Sequence, residues 1–140
     1  MLALTAPLML RLQHLPQLAG WDVRTNIEHA PRDKYPAADV RCTGANVPPN
    51  QTDIVTISPE WTVTLVVRHS DTAAAQLEAA FAAVVAALHG WQPGQHSGRG
   101  WTALRLVAAK EPLFTDTGLA GIELFFSTSA KYHGAGCAAN

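Results

Sequence analysis

His69, Ser70 and Asp71 carry the side chains of a nucleophile–base–acid relay, and they stand consecutively. Consecutive residues cannot assemble such a relay, because its members converge from separate parts of a chain. The same residue types suit a helix start, where a short side-chain oxygen accepts hydrogen bonds from free backbone N–H groups. His14, His29, His89, His96 and His133 show no i, i+4 pair and no HExxH spacing, and Cys42 and Cys137 form no CxxC. Neither zinc nor a disulfide scaffold is implied. Glu28, Asp33, Glu60, Glu111, Asp116 and Glu123 are dispersed, although a distant pair could still meet as acid and base. Gln92–Gly100 is rich in glycine but lacks a phosphate-loop arrangement and follows a helix instead of preceding one. No catalytic, cofactor-binding or metal-ligating residue is assigned, and no cofactor is expected.

The elements that would position any site centre on Glu60–Gly90. Trp61, Val63, Leu65 and Val67 alternate with Thr62, Thr64, Val66 and Arg68, the period of a strand with one buried face. His69–Thr72 supplies the cap, and from Ala73 the period becomes helical through Leu77, Phe81, Val84, Val85 and Leu88. Gly90 is placed to close that helix in the left-handed conformation. Its outer face is mostly alanine, with Gln76 and Glu78 the polar members. That face suits either a bare helix lying on a sheet or a second face packed against another chain.

Upstream, Thr5 is expected to cap a short helix bearing Leu4, Leu8, Leu12 and Leu15, ended by Pro16 and Gly20. Trp21–Arg24 reads as a short extended segment, and Ala38, Val40 and Cys42 mark a second strand. Gly44–Pro59 reads as a long projecting loop or hairpin, with strand character at Ile54, Val55 and Ile57; loops of this length are usually functional or mobile. Downstream, Gln92–Gly100 is expected to be a flexible connector. Trp101–Val107 and Ile122–Ser127 are expected strands, with an extended or bent Lys110–Thr117 between them. Tyr132–Asn140 is read as a disordered tail. The expectation is an α/β (α+β) domain over residues 1–130, with a mixed, mostly antiparallel sheet and two helices on one face.

At 140 residues, the chain is long enough for one domain burying roughly two-thirds of its unfolded surface. Charged residues make up 15% and the formal net charge is −1, which argues against an electrostatic nucleic-acid binder, since such binders normally show a basic excess. Arg24, Arg32, Lys34 and Arg41 are offset by Asp22, Glu28, Asp33 and Asp39, and read as a solvated face. Met1–Leu12 lacks the positive start of a signal peptide and is too short to span a membrane. With few cysteines, a reducing cytoplasm is the expected compartment.

The layout resembles the tail terminator (tail completion, minor tail) proteins of long-tailed bacteriophages. The matching features are the leucine-bearing helix (Leu8, Leu12, Leu15), the segment near Val23, the proline-preceded strand Tyr35–Thr43 and the long loop. The run WTVTLVVRHSDTAAAQLEAAFAAVVAALHGW (Trp61–Trp91) and the pair LRLVAAKEPLFTDTGLAGIELFFSTSA (Leu104–Ala130) complete the pattern. The resemblance spans roughly Leu8–Ala130 and rests on layout, with no catalytic motif. It implies a structural virion protein, assembled in the host cytoplasm, that closes into a homo-hexameric ring on the tail tube. That ring would stop tube growth and present the head-joining surface, with the tube protein and a head–tail connector as partners. No membrane and no nucleic-acid sequence recognition are implied. The alternatives are another tail or neck component, or a small ligand-binding or enzymatic α+β domain. Candidate subunit or tube contacts are Ile54, Val55 and Ile57 on the loop, with Arg32, Lys34, Arg68, Arg99 and Arg105 as polar contacts. Arg68 and Arg105 equally suit the solvated faces of strands.

Overall fold

A computed structural model describes residues 1–25, 33–49, 53–114 and 117–136. A 3₁₀ turn, Leu2–Leu4, leads into α1 (Thr5–Gln13), and a second, Pro16–Leu18, precedes β1 (Asp22–Thr25). Then follow β2 (Ala37–Asn46), β3 (Ile54–Arg68), α2 (Ala73–Leu88), β4 (Gly94–His96) and β5 (Arg99–Trp101). The chain continues as β6 (Arg105–Lys110), β7 (Leu119–Ser127) and β8 (Ala130–His133). The main sheet has the order β1-β2-β3-β7-β6, with β1 parallel to β2 and the other neighbours antiparallel. α1 packs on β1 and β2, and α2 on β3 and β7, so both helices cover one face. Among the described residues no helix is long and apolar enough to cross a membrane.

β3 is longer than its alternation from Trp61 suggested. It begins at Ile54, passes through Pro59 and pairs three partners. β7 pairs it from Arg68 back to Glu60, and β8 takes over at Ile57. Pro59, which cannot donate to a ladder, sits at this handover, next to the bulge between Cys42 and Gly44 on β2. Gly44–Pro59 is therefore the end of a hairpin arm, with Ala45 paired to Pro59 and Asn46 to Ser58.

β8 corrects the expectation for the C-terminal residues. Ala130–His133 pairs with Ile54–Ile57, and its burial alternates, Ala130 and Tyr132 inward and Lys131 and His133 outward. The glycines and alanines that follow masked that short alternation. Gly134 N–H still donates to Asp53 O at 2.7 Å, and only from 137 does the expected tail leave the described residues. Gln92–Gly100 is likewise structured: β4 and β5 pair across a two-residue turn at Ser97-Gly98, both at positive φ. The strand expected from Trp101 is two strands, with a break at Thr102–Leu104.

The core joins Leu4 of the first 3₁₀ turn and Leu8 and Leu12 of α1 to Val40, Trp61, Val63, Leu65, Leu124 and Phe126 of the sheet. α2 contributes Ala80, Val84 and Leu88, whereas Leu77 and Phe81 are only half-buried at its flank. Part of the alanine surface is thus the inner face, because a small side chain lets the helix lie close on the sheet. Neither expected cap forms. Thr5 is already helical and its hydroxyl donates to Leu2 O at 2.8 Å. Before α2, Ser70 Oγ accepts from Thr72 N–H at 3.3 Å, folding the turn and leaving the helix uncapped. At the other end Gly90 takes φ +83°, and its N–H donates to Leu104 O at 2.7 Å.

Gly121 lies where β7 crosses β3 beneath Phe114. A Cβ there would lie 2.5 Å from Leu65 O and 2.8 Å from Phe114 Cζ. We predict that Gly121→Ala costs about 1–3 kcal/mol. A lowered urea midpoint at unchanged m-value would confirm this, and adding Phe114→Ala should restore little, since the Leu65 carbonyl remains.

Candidate interaction surfaces

The sheet face without helices holds a cleft of about 660 Å³, lined by Asp39, Arg41, Thr62, Thr64, Phe114 and Phe125 among others. Its polar floor follows from strand alternation, since these residues interleave with the core positions of β2, β3 and β7. Arg24 and Asp39 are register partners across the parallel β1–β2 pair. They are 8% and 6% exposed, so these two depart from the solvated face expected of the group, whose Asp33 and Lys34 are exposed. Arg41 Nη2 donates to Asp39 Oδ2 at 2.9 Å, and Arg24 Nε stands 3.8 Å from the same oxygen without a hydrogen bond. Arg24 Nη1 donates to Lys34 O at 3.3 Å. The Tyr35 ring receives the Arg24 and Arg68 guanidiniums at 5.4 and 5.1 Å. Asp39 is engaged by cations and positions them.

On the helical side, α1 and the end of α2 border a cleft of about 620 Å³ that includes Leu10, Arg11, His14, Ala83, Ala86 and Trp91. Arg11 Nε donates to Ala87 O at 2.7 Å and its guanidinium lies 4.8 Å from the Trp91 ring centre, joining the two helices. Leu10 is 56% exposed, and Ala75, Ala79, Ala82 and Ala86 form an outward alanine face.

The candidate contact residues fall into two groups. Ile54, Val55 and Ile57 lie on the arm; Ile54 is 41% exposed and the other two are half-buried. Arg99 joins them through β8, its guanidinium 3.7 Å from the Tyr132 ring centre, while Tyr132 pairs with Val55. Lys34 and Arg68 are both exposed and lie with Tyr35 at the other end of β3. Arg105 is exposed on β6 at the sheet edge, apart from both groups. Arg32 lies outside the described residues. Tyr132 was missed because it was read as tail, and Arg24 and Asp39 because their pairing needs the parallel register of β1. Among the described residues no three His, Cys, Asp or Glu side chains gather as a metal site.

The family model for phage tail terminator proteins matches residues 25–134, from the end of β1 to just past β8. This chain belongs to the phage tail terminator family. No curated protein matches its sequence. Among solved structures, a chain described as "Virion of native gene transfer agent (GTA) particle" is similar with a TM-score of 0.66 at 19% identity, covering 89% of this chain and 92% of its own. That likeness shows a shared fold. The family span takes in the arm, both sides of the sheet and α2, and leaves α1 outside. It includes β8, in keeping with that strand being part of the domain.

Two tests follow from these surfaces. Asp39→Ala removes the carboxylate that Arg24 and Arg41 share and leaves Arg24 with Asp22, 3.5 Å from its Nη1, so it should cost about 1–3 kcal/mol, with Asp39→Leu combined with Arg24→Met losing less than that single change; urea unfolding of the three chains checks it. Cys42 is half-buried with Sγ 3.6 Å from Gly44 O, and burial pushes its thiol up. With Cys137 replaced by serine, a disulfide reagent at pH 8 should modify the native chain more slowly than the urea-unfolded chain.

Proposed function

We propose that this chain is a structural tail subunit that associates with copies of itself into a six-membered ring at the end of the tail tube. There it stops tube growth and offers the surface to which the head joins. The observation that carries this is the family match over residues 25–134. The likeness to a virion chain accords with it. Localisation in the tail, assembly in the host cytoplasm, and tube and connector partners belong to the same proposal.

Two separate apolar patches on the chain support this reading. A closed ring of identical subunits uses two different, complementary patches on each copy. The arm carries exposed apolar side chains, Val47 at 52% and Ile54 at 41%. The helical side carries the cleft beside Leu10 and Ala86, on a helix whose single charged residue is Glu78. In this reading the arm of one subunit enters the helical cleft of the next. Lys34, Arg68 and Arg105 remain candidate polar contacts to ring neighbours or tube.

Light scattering across a concentration series should show the 14.9 kDa chain moving toward about 89 kDa, the mass of six copies. Ile54→Arg and Leu10→Arg should each hold it at the monomer mass while leaving its thermal transition within about 2 °C, as expected of exposed sites. Added to growing tube protein, the native chain should shorten the tubes seen by electron microscopy. A chain that stays monomeric and leaves tube length unchanged would overturn the proposal, and incorporation along the tube wall would make it a tube subunit instead.

A further inference from the structure

Where β5 turns toward β6, two clefts of about 450 and 350 Å³ adjoin, sharing Thr102 and Ser129. Arg99, Lys131 and His133 line the first and Arg105 the second, and no carboxylate lines either. The larger cleft over the sheet differs, because there Asp39 and Glu123 offset Arg24 and Arg41. The acids nearest in pairing have other contacts: Glu60, which like Arg105 is a register partner of Ser127, accepts from Thr43 Oγ1 at 3.0 Å, and the Asp53 carboxylate lies close to Gly136. Lys131 and Arg105 are exposed, and their side chains make no hydrogen bond or ion pair with the described residues. A chain of net charge −1 thus concentrates three permanent cations along one groove that no carboxylate lines.

The hydroxyls in that groove are held in place. Thr102 Oγ1 accepts from Ser129 N–H at 2.9 Å and lies 3.2 Å from Thr128 Oγ1, and Thr102 N–H donates to Ser129 O at 3.0 Å. Hydroxyls set among arginine and lysine are the donors that phosphate oxygens use in nucleic-acid backbones. A reader of unpaired bases would also need an open aromatic face. Here the Tyr132 ring is covered by Arg99 and meets Trp101 edge-on at 6.4 Å, and Trp101 is 1% exposed.

We propose that this groove binds the phosphodiester backbone of duplex DNA without reading its sequence. The groove lies within one chain but borders the arm that the ring reading seats in a neighbour, so the titration is made at concentrations where light scattering shows the monomer, and its failure is separate from failure of the ring. With three cations per chain, the slope of log K against log salt should be about −2 to −3. A fluorescent 30-base-pair duplex titrated with the full-length protein, in 50 to 200 mM salt, measures it by anisotropy. Two unrelated sequences of equal length should bind alike. Arg105→Ser combined with Lys131→Ser should weaken binding about tenfold or more at 50 mM and lower the slope by about two. Lys34→Ser, outside the groove, should leave both unchanged. No binding at 50 mM, or equal loss from Lys34→Ser, would overturn the proposal. Polyglutamate competing as well as unlabelled duplex at equal charge would also overturn it and point to an acidic protein partner.

Discussion

Every other part of the fold depends on the pairing of β3. It is flanked on both sides from Glu60 to Val66, and its core positions there carry Trp61, Val63 and Leu65, none more than 1% exposed. Burying a backbone this completely is possible only if its N–H and C=O groups are paired, because each unpaired group would cost about 1–3 kcal/mol. β2, β7 and β8 provide those partners from three separate stretches of sequence. The helices then close the apolar face, and the polar face keeps its threonines and ion pairs. One-sided burial of a central strand therefore fixes where every exposed surface can lie.

Much of this was legible in the sequence, wherever the signal was local. The alternation from Trp61, the helical period from Ala73 and the closing glycine at Gly90 are contacts between near neighbours. The first half of β3 was legible only as strand character inside a presumed loop, because its burial depends on β8, some seventy residues away. α2 misled in a different way. Its largest side chain, Phe81, marks the flank together with Leu77, while the deepest contacts come from Ala80, Val84 and Leu88. Size alone points to the wrong meridian when a helix must lie close on a sheet.

The interaction surfaces were less legible, for electrostatic reasons. Arg24, Asp39 and Arg41 look like charges cancelling in solvent until the parallel β1–β2 register brings the first two together. Conversely, an almost neutral composition averages away the groove of Arg99, Arg105 and Lys131. Net charge counts residues without regard to position, whereas fields depend on what lies within about 10 Å at ordinary salt. Arg99 and Arg105 were named as polar contacts, but Lys131 became visible only when the supposed tail proved to be a strand.

The handover at Pro59 also has a mechanical meaning. The arm and the core share one covalent strand, so a displacement at the arm tip is carried directly into the helix-covered sheet. Ladder hydrogen bonds lie across the strand direction in antiparallel pairs. A pull along β3 therefore loads its bonds to β2 and β7 in shear and together, whereas peeling from an edge would load them one at a time. The arm can give at its end, where β8 is short, while its root resists as a unit.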